Sequence, residues 1–227
     1  MHTAQIQGIT FSYPDQLEFE TLVEESFKKH SYYVDLDTTT PTIIDAGANI
    51  GTSALYFHKL YPRATIISIE PNPRNLTFLR KNLEDNGVEN ITIIPKALVG
   101  KDHQGTVTLY MHPNWGVFSS LQPKGWSHDQ EMTPVEVETI KLSEIITGPV
   151  DVLKIDIEGA EDAVLSEAKD SLRFVSHLLL EYHETHKGQM EKMKKMLGDM
   201  FKEVSVTKDE RKERNREHQL YLIEASK

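Results

Sequence analysis

The sequence predicts an α/β fold with a mostly parallel sheet, and three observations carry that prediction. Short runs rich in β-branched residues at positions 42–45, 65–69 and 91–94 are separated by stretches with helical periodicity. The first run reaches Asp45-Ala46-Gly47-Ala48-Asn49-Ile50-Gly51 and passes directly into Thr-Ser-Ala-Leu-Tyr-Phe-His, which reads as strand, tight loop and helix start. The second run ends in Glu70, nineteen residues after Gly51, where a carboxylate can meet a ribose. Such a β-α-β unit is expected to cross over with the right hand.

A chain of 227 residues can bury one substantial core, so a single domain over residues 1–227 is expected. Hydrophobic residues make up 38% and charged residues 26%, a balance suited to a soluble protein with much polar helix surface. No apolar run approaches membrane-spanning length and no basic-then-apolar leader is present, which places the expected location in the cytoplasm. The absence of Cys excludes disulfides, thiolate nucleophiles and Cys-based metal centres. A net charge of -10 argues against a broad nucleic-acid face. The basic residues near 192–195 and 208–216 are interleaved with Glu and contain no stacking aromatic, so they read as solvated surface.

The elements follow in order. Residues 1–40 are expected to form a helical cover or lid, with a helix at 15–30 capped by Asp15 and a face of Leu17, Leu22, Val23 and Phe27. Helices are read at 52–60 and 74–86, the latter from the Leu76, Leu79 and Leu83 stripe with Gly87 as a left-handed stop. Alternating runs at 105–110 and 135–140 predict half-buried strands inside a peripheral insertion, 103–140, that could enclose a substrate. Trp115 and Trp126 offer flat walls there. Residues 151–157 form a central strand, followed by a helix through Leu165 and a fifth strand at 178–182. A final hairpin of 201–206 with 219–224 brings the count to seven strands.

The loop Asp45-x-Gly47-x-Asn49-x-Gly51 decides among nucleotide chemistries. It lacks the GK[S/T] ending with which a phosphate loop neutralises terminal phosphates. It also departs from G-x-G-x-x-G, and Asp45 would press a negative charge against a diphosphate. S-adenosylmethionine has no phosphate and carries an ammonium, a sulfonium and a ribose diol. Asp45 is expected to order the loop and the amino-acid end of that cofactor, directly or through water, while Gly47 admits close backbone and Glu70 accepts from the ribose hydroxyls. Asn72, two residues on, either touches the ribose or holds the turn.

At this point the chain resembles the FkbM family of S-adenosylmethionine-dependent methyltransferases. The resemblance spans residues 40–185 and rests on Ile44-Asp45-Ala46-Gly47-Ala48-Asn49-Ile50-Gly51, Ile69-Glu70-Pro71-Asn72-Pro73, Leu153-Lys154-Ile155-Asp156-Ile157-Glu158-Gly159-Ala160-Glu161 and Glu181-Tyr182-His183. It implies a class I methyltransferase sandwich: a seven-stranded sheet in order 3-2-1-4-5-7-6, strand 7 antiparallel, with helices on both faces. It implies that Asp45, Gly47, Asn49 and Gly51 form the cofactor loop, that Glu70 is the ribose-binding acid, and that Ala97 borders the adenine. It also implies O-methylation of a small molecule or glycan, such as a sugar or polyketide-type metabolite. RNA or protein methylation and a non-catalytic cofactor-binding protein are the alternatives.

Methyl transfer to oxygen is an in-line displacement in which positioning supplies much of the rate and a base takes the hydroxyl proton. Asp156, at the end of a strongly apolar strand, is a candidate catalytic residue. His183 fits the base, with Glu181 orienting it or the acceptor. A metal-assisted variant would draw ligands from Asp156, Glu181 and His183, but no established metal-ligand spacing is present and the metal-free reading is preferred. Oligomeric state is not legible.

Overall fold

Alternation along the central strands explains how the molecule is layered. The structure, a computed structural model, describes residues 1–113, 116, 119–122, 131–209 and 219–227. Two short strands, β1 (His2–Ile6) and β2 (Ile9–Tyr13), open the chain as an antiparallel hairpin. Gln7 and Gly8 both take left-handed backbone, φ 50° and 88°, which is the two-residue turn that matches strand twist. Helix α1 (Gln16–Val23) follows, and Asp15 caps it by accepting from Glu18 N at 3.0 Å, as expected. A π-helical turn, Glu24–Lys28, continues it.

The main sheet is then laid down by β3 (Thr42–Ala46), α2 (Thr52–Leu60), β4 (Thr65–Ile69), α3 (Pro73–Asp85) and β5 (Ile91–Ile94). A smaller sheet interrupts it: β6 (Ala97–Leu98), β7 (Thr106–Met111) and β8 (Thr133–Ile140), with β7 and β8 antiparallel and β6 parallel to β8. A short helix α4 (Leu142–Ile145) leads back to β9 (Val150–Ile155), α5 (Glu161–Glu167), β10 (Val175–Glu184), α6 (Gln189–Gly198), β11 (Glu203–Lys208) and β12 (Gln219–Ser226). The seven strands lie in the order β11-β12-β10-β9-β3-β4-β5. Strand β12 is antiparallel to both neighbours, whereas the pairs among β10, β9, β3, β4 and β5 are parallel. This is the class I methyltransferase order, 3-2-1-4-5-7-6.

Period-two alternation gives the sheet two cores. Ile44, Leu153, Leu178 and Leu180 face one layer with Val164 and Leu165 of α5 and Met193 and Leu197 of α6. Ile43, Ile66, Val152 and Leu179 face the other, where Tyr56 and Phe57 of α2 meet Phe11, Phe19, Val23 and Phe27 from the N-terminal segment. Of the expected stripe, Val23 and Phe27 are buried and Leu22 is half-buried, with Phe19 beside them, whereas Leu17 stands 57% exposed. No helix among the described residues is long and apolar enough to cross a membrane. Trp115, Trp126 and residues 210–218 lie outside the described residues.

Candidate active site

The loop after β3 is tied to its neighbours first through its backbone. Gly47 N and Ala48 N donate to Ile69 O at 2.9 and 3.1 Å, and Asp156 N donates to Ala46 O at 3.0 Å. Gly47 has φ +80°, and a Cβ there would lie 1.7 Å from Asp156 O, so no other residue fits without moving the β9 end. Gly51, φ +91°, caps α2, and its missing Cβ leaves room for Leu79 Cδ1.

Asp45 lies beneath this loop. Its side chain is fully buried, accepts from Ser53 Oγ at 2.7 Å and stands 3.4 Å from Lys154 Nζ. Lys154 reaches up from β9 to donate to Gly47 O at 2.8 Å and Ala46 O at 3.3 Å, with Asp156 Oδ2 at 4.0 Å and the Tyr32 ring centroid at 5.6 Å. Burial pulls the Lys154 ammonium down, but Asp45, Asp156 and Glu181 outweigh it and hold the pKa above its ordinary value. The buried lysine is thus a charged strut under the loop.

Glu70 joins two turns. Its carboxylate accepts from Asn49 N and Asn72 N, each at 2.8 Å. Burial pushes its pKa up to about 7 against the pull of those two amides, Lys154 and Asn75. Asn72 holds the turn: its side chain caps α3 through Arg74 N at 2.9 Å and donates to Ser119 Oγ at 2.8 Å.

A cleft of about 810 Å³ opens at the carboxyl ends of β3, β4 and β9. Gly47, Asn49, Glu70, Ala97 and Asp156 line it. Asp45, Gly51 and Asn72 stand behind it. The cleft also takes in Asn75, Glu158, Leu22 and Tyr32, and Leu22 and Tyr32 come from the N-terminal segment. The Asn75 Oδ1 atom is buried and has no hydrogen-bond partner among the described residues. The position of Asn75 three residues after the Asn72 cap, on the same helix face, was the available signal. Tyr32 also lines a second cavity of about 840 Å³, together with Glu25, Glu181, Asp209 and Glu224. Burial, then Glu25, Asp156 and Glu181, hold the Tyr32 phenol well above its ordinary pKa, so it remains a donor.

His183 lies away from the cleft lining, 3% exposed, in a nest of carboxylates. Its Nδ1 is 3.1 Å from Glu161 Oε1, and its Nε2 is 3.4 Å from Glu158 Oε2 and 3.9 Å from Glu181 Oε1. Burial lowers its basicity, but Glu158, Glu161 and Glu181 more than reverse this and push the pKa up to about 10. The three carboxylates thus favour the protonated imidazole, and His183, expected as the base beside the acceptor, does not line the cleft. Glu158 itself has φ +54° and is followed by Gly159 at +97°, a left-handed pair that turns the chain between β9 and α5.

Residues 45–216 match the model of the methyltransferase FkbM domain. The chain belongs to that family. As an FkbM-family methyltransferase it is 29% identical over 180 residues to methyltransferase sdnD of Sordaria araneosa, covering 66% of this chain and 69% of that one. It is 28% identical over 185 residues to the 2-O-methyltransferase NoeI of Sinorhizobium fredii, covering 73% and 74%. Among solved structures, methyltransferase FkbM from Methylobacillus flagellatus shares the fold at a TM-score of 0.53 and 17% identity, covering 87% of this chain and 47% of that one.

Proposed function

We propose that this methyltransferase uses S-adenosylmethionine to methylate a hydroxyl of a small, polyhydroxylated acceptor such as a sugar or polyketide-type metabolite. The observation that carries the reading is that Glu70, Asp156 and Glu158 line one and the same cleft. The site fits that cofactor: a carboxylate for a ribose diol, a glycine where backbone must approach, and a buried acceptor at Asn75 Oδ1. When bound, the cofactor supplies an electrophilic methyl group on a sulfonium.

The chain's residues then have separable tasks. Glu70 accepts from the ribose hydroxyls while its backbone donors keep it in place. Lys154 holds the Ala46 and Gly47 carbonyls and so fixes the loop against the β9 end. Asp156 and Glu158 face the acceptor, hold its hydroxyl in line and draw off its proton as the new bond forms. Tyr32, between the two cavities, donates to the acceptor, and the carboxylates of the second cavity accept from its other hydroxyls. The similarity to a 2-O-methyltransferase supports oxygen as the acceptor atom. Release of S-adenosylhomocysteine across a library of hydroxylated glycans and metabolites tests the reading. Turnover is expected to fall by roughly 10²–10⁴ in Asp156→Asn. Cofactor binding with no turnover on any hydroxylated acceptor, or turnover on RNA or protein instead, would sink it.

A further inference from the structure

We propose that Asp156, Glu158 and His183 form a divalent-cation site in the floor of the cleft, through which the two carboxylates hold the acceptor oxygen. The proposal deepens the methyltransferase reading and rests on it for the identity of that oxygen. One ligand atom from each of the three residues falls within 4.8 Å of the others. Around an ion with metal–ligand bonds of about 2.0–2.6 Å, neighbouring and opposite ligands stand about 3 to 5 Å apart, so the three atoms converge at the spacing one ion requires. The 3.4 Å separation of His183 Nε2 and Glu158 Oε2 is that of adjacent ligands.

The surroundings of His183 point to a ligand in a second, independent way. A carboxylate only accepts, so the 3.1 Å contact to Glu161 Oε1 assigns a proton to Nδ1 and leaves Nε2 as the atom directed at Glu158 and Asp156. Glu161 is itself fixed by the Gly159 amide at 2.9 Å. Carboxylate, imidazole and metal in series is the arrangement by which proteins set the tautomer of a ligating histidine. Charge agrees: four carboxylates, Asp156, Glu158, Glu161 and Glu181, gather about one imidazole, and Lys154 is already engaged beneath the cofactor loop. A dication offsets that excess where another proton offsets half as much. Two carboxylates with one imidazole suit ions of intermediate hardness, and Mn2+ is the natural probe. Asp156 and Glu158 line the cleft, which leaves a coordination position open toward the acceptor hydroxyl. Ligation there favours the alkoxide, whose proton passes to solvent or to a carboxylate oxygen outside the coordination shell.

The test is titration of the metal-stripped full chain with Mn2+, following the free-ion paramagnetic resonance signal, alongside calorimetric binding of S-adenosylmethionine. One Mn2+ per chain is expected, with affinity weakened at least tenfold in Glu158→Gln and in His183→Asn. Glu158→Gln guards against a fold defect in the buried histidine variant, and its circular dichroism spectrum and unfolding cooperativity are expected to match wild type. Absence of Mn2+ binding at millimolar concentration, or affinity unchanged in Glu158→Gln, overturns the site. Mn2+ binding in a chain that takes up no S-adenosylmethionine would instead preserve the site and remove the cofactor reading.

Discussion

At the residue scale, three glycines separate steric closure from backbone strain. Gly47 combines φ +80° with a Cβ position 1.7 Å from a carbonyl oxygen, Gly105 has φ +87° with open space, and Gly148 has neither constraint. Gly47→Ala is expected to cost about 3–5 kcal/mol, Gly105→Ala about 1 kcal/mol and Gly148→Ala less than about 0.5 kcal/mol. Thermal unfolding midpoints that fall equally for the first two would show that the loop moves aside and that its closeness to β9 is not required. Glu70 supplies a pH dependence. Its folded pKa of about 7 lies above the ordinary 4.5, so between those values the folded chain binds more protons than the unfolded one. Its contribution therefore makes stability fall as pH rises through that window, and Glu70→Gln removes the fall. Ionisation also strengthens acceptance from a ribose, so affinity for S-adenosylhomocysteine is expected to rise several-fold from pH 6 to 8 in wild type and to stay flat in Glu70→Gln. A parallel pH profile in both proteins would remove Glu70 from the ribose.

Among the elements, the N-terminal segment tests whether residues 1–40 are a loose cover or part of the core. Phe27 is 2% exposed and meets Phe11 and Tyr56 with ring centroids 5.8 and 5.3 Å apart. Phe27→Ala is expected to cost about 3–5 kcal/mol in urea unfolding, and a loss below about 1 kcal/mol would show a lid that parts from the sheet freely. The same segment marks where sequence legibility ended. Helix α2, the Asp15 cap and the Gly87 stop at φ +64° were readable because each depends on neighbours within a turn. The hairpin at Gln7-Gly8 had its signal, a two-residue turn between β-forming runs, but its value lies in Phe11 meeting Phe19 and Phe27 of the helical turns that follow. The helix face was misjudged at Leu17 because periodicity tells which residues share a side, not which side the core will take. His183 was legible as a functional group, yet Glu158 and Glu161, more than twenty residues earlier, decide its protonation.

For the whole molecule, the strand order was carried by family resemblance, since continuous apolar strands show burial on both faces without naming their neighbours. That order brings the ends of β3, β4 and β9 together and gathers Asp45, Glu70, Asp156 and Glu158 around or beneath one cleft in a chain of net charge -10. Lys154 answers part of that charge from below. The resulting field attracts a cation and is screened by salt over roughly 10 Å at 0.1 M ionic strength. S-adenosylmethionine carries one positive charge more than S-adenosylhomocysteine, with nearly the same shape. Raising salt from 0.05 to 0.5 M is therefore expected to weaken S-adenosylmethionine by about 2–5-fold while leaving S-adenosylhomocysteine nearly unchanged, measured by calorimetry at fixed pH. Equal salt sensitivity for the two ligands would mean that the methyl-bearing sulfur does not feel the carboxylates at the end of β9, and would place the transferring group elsewhere in the cleft.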